Sequence, residues 1–362
     1  MPEGPELTRT PGLGPARRKL KVWRLLLSLL VVGLAFLFMG RSLYKNWRQV
    51  SQYFTTLHFK WALLPIPFLL YAFSFLIMAY AWKEVLVVMG EKIRLGRASW
   101  VVIYSQFGKY LPGKVWAVMG RVYLAREDGI EERHSAVSVI IETVYLFLTS
   151  LVLFAVSLLF YESLPAKAYW LLAFIPVVLV WVYPPWFNRM VNFLLKRLSQ
   201  KPVAFNPTLG QACKLMLIYA ACWIVQGLGL YVLTLSFYPL PLRTLPIFPG
   251  AYSVSWILGI LVLIAPGGLG VREGVFALLL NPVIPGALNV VASLLSRIWI
   301  TVSELLLLGS IFLIQRLLNH REHREHGEPG VSDSDSSVTS VSSVVGDSEA
   351  DRRKDGKEPG NR

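Results

Sequence analysis

Residues 265–274 read Ala-Pro-Gly-Gly-Leu-Gly-Val-Arg-Glu-Gly in the middle of an otherwise apolar run. Residues 107–116 form a counterpart, Phe-Gly-Lys-Tyr-Leu-Pro-Gly-Lys-Val-Trp, also inside an apolar stretch. Proline lacks an N–H and glycine is a weak helix former, so each motif interrupts a helix. In hydrocarbon every unpaired backbone group is costly, and interrupted backbone survives there only inside protein or beside a wet cavity. Two interruptions in corresponding halves of a chain are the best sequence pointer to a transport site.

The surroundings of the two motifs fit that frame. The chain has 362 residues, 54% of them hydrophobic, with 12 Trp. That exceeds the roughly 45–50% apolar content of ordinary soluble domains. The excess is gathered into runs of bilayer-spanning length, about 20 residues. The expected architecture is an all-α polytopic membrane protein. Six full spans are predicted at 22–43, 61–82, 136–161, 169–187, 215–238 and 288–315. Two re-entrant, broken-helix segments are predicted at 98–122 and 251–280. Residues 1–21 form a basic, disordered N-terminus, 22–318 the transmembrane domain, and 319–362 a disordered Ser/Asp-rich tail. The apolar run after Arg17, Arg18, Lys19 and Lys21 is long and is followed by no small-residue cleavage site, so it reads as an uncleaved first span.

The net charge is +14. From Arg321 onward, 7 Lys/Arg and 10 Asp/Glu give the tail −3 and leave +17 on the membrane body. These cations flank apolar spans, which fits anionic headgroups and the positive-inside rule better than nucleic acid. The expected location is the cell (inner or plasma) membrane with both termini cytoplasmic. The loop at 41–60 opposes this, with four cations and no acid on the predicted outside. Cys213 and Cys222 fit neither a metal site nor a disulfide framework. His320, His323 and His326 lie in the charged tail and read as solvated. No nucleophile–base pair, metal cluster or nucleotide loop is recognisable, so neither an enzyme nor a cofactor is expected.

The first three spans with the first break overlay the last three with the second. Each half holds an odd number of spans, so the halves are inverted and the breaks enter from opposite sides. Pro112 precedes Glu142 by 30 residues and Pro266 precedes Arg297 by 31.

Charged residues within spans face a cavity or a partner. The lipid-headgroup candidates are Lys109, Lys114, Arg121, Arg272 and Arg297, with Glu142, Glu273 and Glu304 as balancing charges. The backbone breaks at Pro112 and Gly113, and at Pro266, Gly267, Gly268 and Gly270, would add exposed N–H donors for a phosphate. Static pairs (Glu142 with Arg297, or Arg272 with Glu304) are the competing reading. Lys109 and Lys114 snorkelling to the surface is another, and the glycines could serve close packing instead.

The two motifs together resemble the signature segments of the lysylphosphatidylglycerol synthase transmembrane family, also described as flippase-like. The resemblance covers about residues 22–318. In its best-known members, the multiple peptide resistance factors, this region moves aminoacylated phosphatidylglycerol between leaflets, and a soluble C-terminal domain makes the lipid. Here only the polar tail follows the last span, so the resemblance implies lipid handling without aminoacyl transfer. Relatives fused to glycosyltransferases make polyprenyl-linked lipids a second cargo class. The expectation is therefore translocation of an anionic phospholipid or polyprenyl phosphate. The alternative is a non-transporting scaffold or accessory subunit for a lipid synthase or glycosyltransferase.

Overall fold

The computed structural model describes residues 44, 60–106, 108, 116–162, 170, 172–180, 183–197, 205–261, 270–284 and 288–325. Among them the regular structure is entirely helical. The helices are α1 (Pro65–Val88), α2 (Leu95–Gln106), α3 (Trp116–Arg126), α4 (Glu132–Ser157), α5 (Phe174–Val180), α6 (Pro184–Arg197), α7 (Leu209–Leu235), α8 (Ile247–Leu261), α9 (Val271–Leu280) and α10 (Leu288–Glu325). The chain divides into two units, Met1–Ile314 and Gln315–Arg362; the description below concerns the first.

Five helical stretches are long and apolar enough to cross a membrane: Trp61–Val88, Glu132–Phe160, Leu209–Leu235, Leu242–Leu261 and Leu288–Ser310. Their outer faces carry Leu69, Phe73, Leu217, Ile224, Ile298 and Leu305 in exposed positions. Such a surface would be a liability in water and suits lipid chains.

One sequence-based span differs from expectation and another is not described. The span at 22–43 lies outside the described residues. The span at 169–187 is not one continuous helix among the described residues: α5 is short, and Pro184-Pro185 begins α6 instead of ending a span. Proline is well placed in a first helical turn, where its missing N–H has no intrahelical partner to lose. In the second interrupted segment, expected at 251–280, α8 already begins at Ile247, in a stretch read as loop, and Leu242–Leu261 is long enough to cross a membrane rather than only dip into it.

α1 and α7 form an antiparallel pair. At one end the Lys60 N–H donates to the Ser236 carbonyl (2.9 Å). At the other, Lys214 pairs with Glu84 (2.8 Å). Thr208 caps α7, and Gln211 returns the bond to the Thr208 N–H.

α2 and α3 also run antiparallel. Arg97 at the start of α2 pairs with Asp128 just beyond the end of α3 (2.9 Å). That hydrogen bond raises the Arg97 pKa further above its ordinary value. Gly108 packs so closely on the Trp116–Ala117 backbone that a Cβ there would collide with it. At 12 and 11 residues, these arms are about 18 and 16 Å long, shorter than a bilayer core.

α8 and α9 are likewise antiparallel, joined by edge contacts of Phe276 with Phe248 and Tyr252. Their outer ends lie at the opposite end of the bundle. There the Tyr161 hydroxyl donates to the Leu279 carbonyl (3.0 Å), and Ile247 clusters with Leu158 and Tyr161.

Candidate functional site

Midway along α7, Cys222, Trp223 and Gln226 face a cavity of about 60 Å³. α1 supplies Tyr71, Phe75 and Met78 to its wall, and α10 supplies Ile300 and Glu304. The inner ends of the two interrupted segments complete it: Gln106 is the last residue of α2, and Arg272 the second of α9. Sequence elements more than 160 residues apart therefore meet at one point.

The polar groups there are arranged around opposite charges. Glu304 accepts a hydrogen bond from the Tyr71 hydroxyl (2.7 Å) and is buried. The Arg272 guanidinium lies over the Tyr252 ring, 4.7 Å from its centroid, where the ring quadrupole attracts it. Its buried Nη2 has no hydrogen-bond partner among the described residues. Gln226 donates to Ser74 Oγ (3.2 Å), and the Cys222 thiol is directed at the Ser74 carbonyl (3.8 Å). A guanidinium with spare donors, a buried carboxylate and an aromatic wall can accept an anion and rebalance charge when it leaves.

Two further charged pairs lie off the cavity wall. Arg121 on α3 pairs with Glu142 on α4 at 2.9 Å, with both side chains less than a tenth exposed. Arg121 also reaches Ser105 Oγ (3.3 Å) and stacks over Trp82, whose indole N–H donates to Ser138 Oγ (2.7 Å). In the other half Glu273 on α9 faces Arg297 on α10 at 3.7 Å. Glu273 Oε2 accepts from the Gly270 N–H (2.6 Å), capping α9. Gly270 holds φ +81°, a backbone conformation only glycine adopts readily. Ser293 Oγ donates to the Glu273 carbonyl (2.6 Å), tying α9 to α10.

Of the residues selected from sequence, Arg272 and Glu304 come together in the cavity. Arg121 and Glu142 come together in one pair, Glu273 and Arg297 in another. Lys109, Lys114, Pro112, Gly113, Pro266, Gly267 and Gly268 lie outside the described residues. The pairing Glu142 with Arg297 does not form: each takes a partner from its own half. Tyr71, Tyr252, Gln106 and Gln226 were not singled out from sequence. A lone amide in an apolar span, as at Gln226, was the available signal.

The family model of the lysylphosphatidylglycerol synthase TM region matches residues 22–307. The chain belongs to that family. No curated protein gave a match. The matched region of this lysylphosphatidylglycerol synthase TM-family member contains both interrupted segments, the cavity and all three charged groupings.

Proposed function

We propose that this membrane protein moves an anionic amphiphile, a phospholipid or polyprenyl phosphate, between leaflets, and that Arg272 holds the headgroup. The observation that carries this reading is the position of Arg272. Its guanidinium, with a buried and unpartnered Nη2, stands where the inner ends of both interrupted segments reach one cavity. Glu304 supplies the counter-charge when the site is empty. The hairpins α2–α3 and α8–α9 act as re-entrant pairs of an inverted repeat, opening toward opposite faces. Lys109 and Lys114 flank the first break and guide the headgroup inward.

The cavity is well below the roughly 300 Å³ at which ligand pockets begin. In this reading the structure is an occluded state, and transport needs one hairpin to move away from the cavity at a time. No cofactor or covalent step enters the scheme, and the membrane partners are anionic lipids with an associated lipid synthase or glycosyltransferase.

The test is lipid scrambling in proteoliposomes, using headgroup-labelled phosphatidylglycerol and an impermeant quencher. Wild type should equilibrate the label across leaflets, and Arg272→Ala should not, at equal folded fraction. Equal rates in the two proteins would defeat the assignment. A purified wild type without transport that co-purifies stoichiometrically with a synthase would favour the accessory-subunit role.

A further inference from the structure

We infer that the exposed face of α6 is a binding surface for anionic phospholipid headgroups of the surrounding leaflet. Phe187, Val191 and Leu195 recur every four residues and are buried against the protein body. Phe187 packs on Tyr145 of α4 and on Phe205, and Asn188 donates to Asn206 (2.8 Å). This buried stripe fixes which side of α6 faces outward. At helical spacing Trp186, Arg189, Phe193, Lys196 and Arg197 fall within an arc of about 100° on the other side.

The composition of that face is specific. Phe193 is 66% and Trp186 45% exposed, so two large aromatic rings stand on the outward face of this 14-residue helix. Arg189 lies over the Trp186 ring at 5.5 Å, holding a cation beside an aromatic plane. Aromatic rings interleaved with Lys/Arg are the make-up of surfaces seated at the headgroup level.

The charge environment points the same way. No Asp or Glu occurs between Glu162 and Glu273. Of the other described cations in that stretch, Lys214 pairs with Glu84 and Arg243 with Glu162. Arg189, Lys196 and Arg197 have no carboxylate partner among the described residues. Three clustered cations with exposed aromatics and no internal counter-charge are complementary to phosphate groups in a membrane plane. This inference is independent of the cavity.

The experiment uses the full chain in detergent, offered equal amounts of phosphatidylglycerol and phosphatidylcholine, with bound lipids counted by native mass spectrometry. Wild type should retain phosphatidylglycerol preferentially, less so as salt rises. The triple variant Arg189→Ala, Lys196→Ala, Arg197→Ala should lose the preference, by roughly fivefold per cation removed. Arg189→Lys with Arg197→Lys should keep it, which separates loss of charge from loss of fold. Arg272→Ala should lose at most the one lipid held at the proposed transport site and keep the preference of the rest, which separates this surface from that site. Equal retention of the two lipids by wild type, as expected of a surface made for an acidic protein segment, would overturn the inference. So would an unchanged preference in the triple variant.

Discussion

Arg121 and Arg272 follow the two interruptions at similar distances, and their environments differ. Arg121 is buried against Glu142, with Ser105 and Trp82 filling out its contacts. Removing one member of such a pair strands the other charge and costs about 3–5 kcal/mol, while replacing both by apolar residues is often neutral. Arg121→Ala or Glu142→Ala should therefore lower the thermal unfolding midpoint in detergent, and the double variant Arg121→Met, Glu142→Leu should recover most of it. Arg272 has donor capacity to spare, so Arg272→Lys should keep a point charge but lose the forked geometry. In the scrambling assay it should fall between wild type and Arg272→Ala. Glu304→Gln keeps the size of the side chain and removes its charge; it should slow transport while costing no more than about 1 kcal/mol of stability. The sequence marked all of these residues because charge inside an apolar run demands compensation. It did not reveal which carboxylate serves which cation, because pairing depends on helix rotation and approach. Tyr71 and Tyr252 were illegible for a related reason: tyrosine is common in membrane segments, and only tertiary packing aims these two at Glu304 and Arg272.

At the scale of elements, the strongest sequence signals concerned where helices stop. α9 begins at Val271, directly after the glycine at 270 that the sequence marked as a break, because glycine is a weak helix former and takes the positive φ found there. The corresponding rule for proline misplaced Pro184: a proline ends one helix or starts the next, and the sequence alone does not say which. Packing between helices was less legible. Lipid chains are as apolar as leucine, so helices in a bilayer associate through close contact and not through escape from water. α8 shows this at both sides. A Cβ on Gly227 of α7 would collide with Pro249, and one on Gly250 of α8 with Ser157 of α4. Gly227→Ala and Gly250→Ala should each destabilise by about 1–3 kcal/mol, the usual cost of overpacking. Gly309→Ala, with nothing within reach of its Cβ, should be neutral or slightly stabilising. Unfolding midpoints measured by size-exclusion of a fluorescent fusion after a heat step would rank the three. A midpoint for Gly227→Ala equal to that of Gly309→Ala would mean that α7 and α8 do not approach this closely.

For the whole molecule, the remaining question is which end faces the cytoplasm. The two ends of the bundle differ in cation content. Lys83, Lys92, Arg94, Arg97, Arg126, Arg133 and Lys214 cluster at the joins where α1 ends, α2 and α4 begin and α7 starts. Around the opposite end the described cations are Lys60 and Arg243, the latter paired with Glu162. Orientation follows Lys and Arg near span ends more than net charge, which predicts that the Lys214 end faces the cytoplasm. Ion pairs with acids at that end, such as Arg97 with Glu127 and Asp128, do not cancel the bias, since acids contribute little to it. Two positions report the two faces. Cys213, beside Lys214, is exposed, while Cys222 is buried, so the natural chain already holds one accessible thiol. An impermeant maleimide should label it in inside-out vesicles and not in intact cells. In a Cys213→Ala background, Arg243→Cys should show the reverse pattern. α7 is about 40 Å long, enough to separate the two reporters by a bilayer. If both thiols label from the same side, α7 does not cross the membrane and the cavity midway along it is not at the midplane. That result would remove the geometric basis for moving a headgroup between leaflets, whatever Arg272 binds.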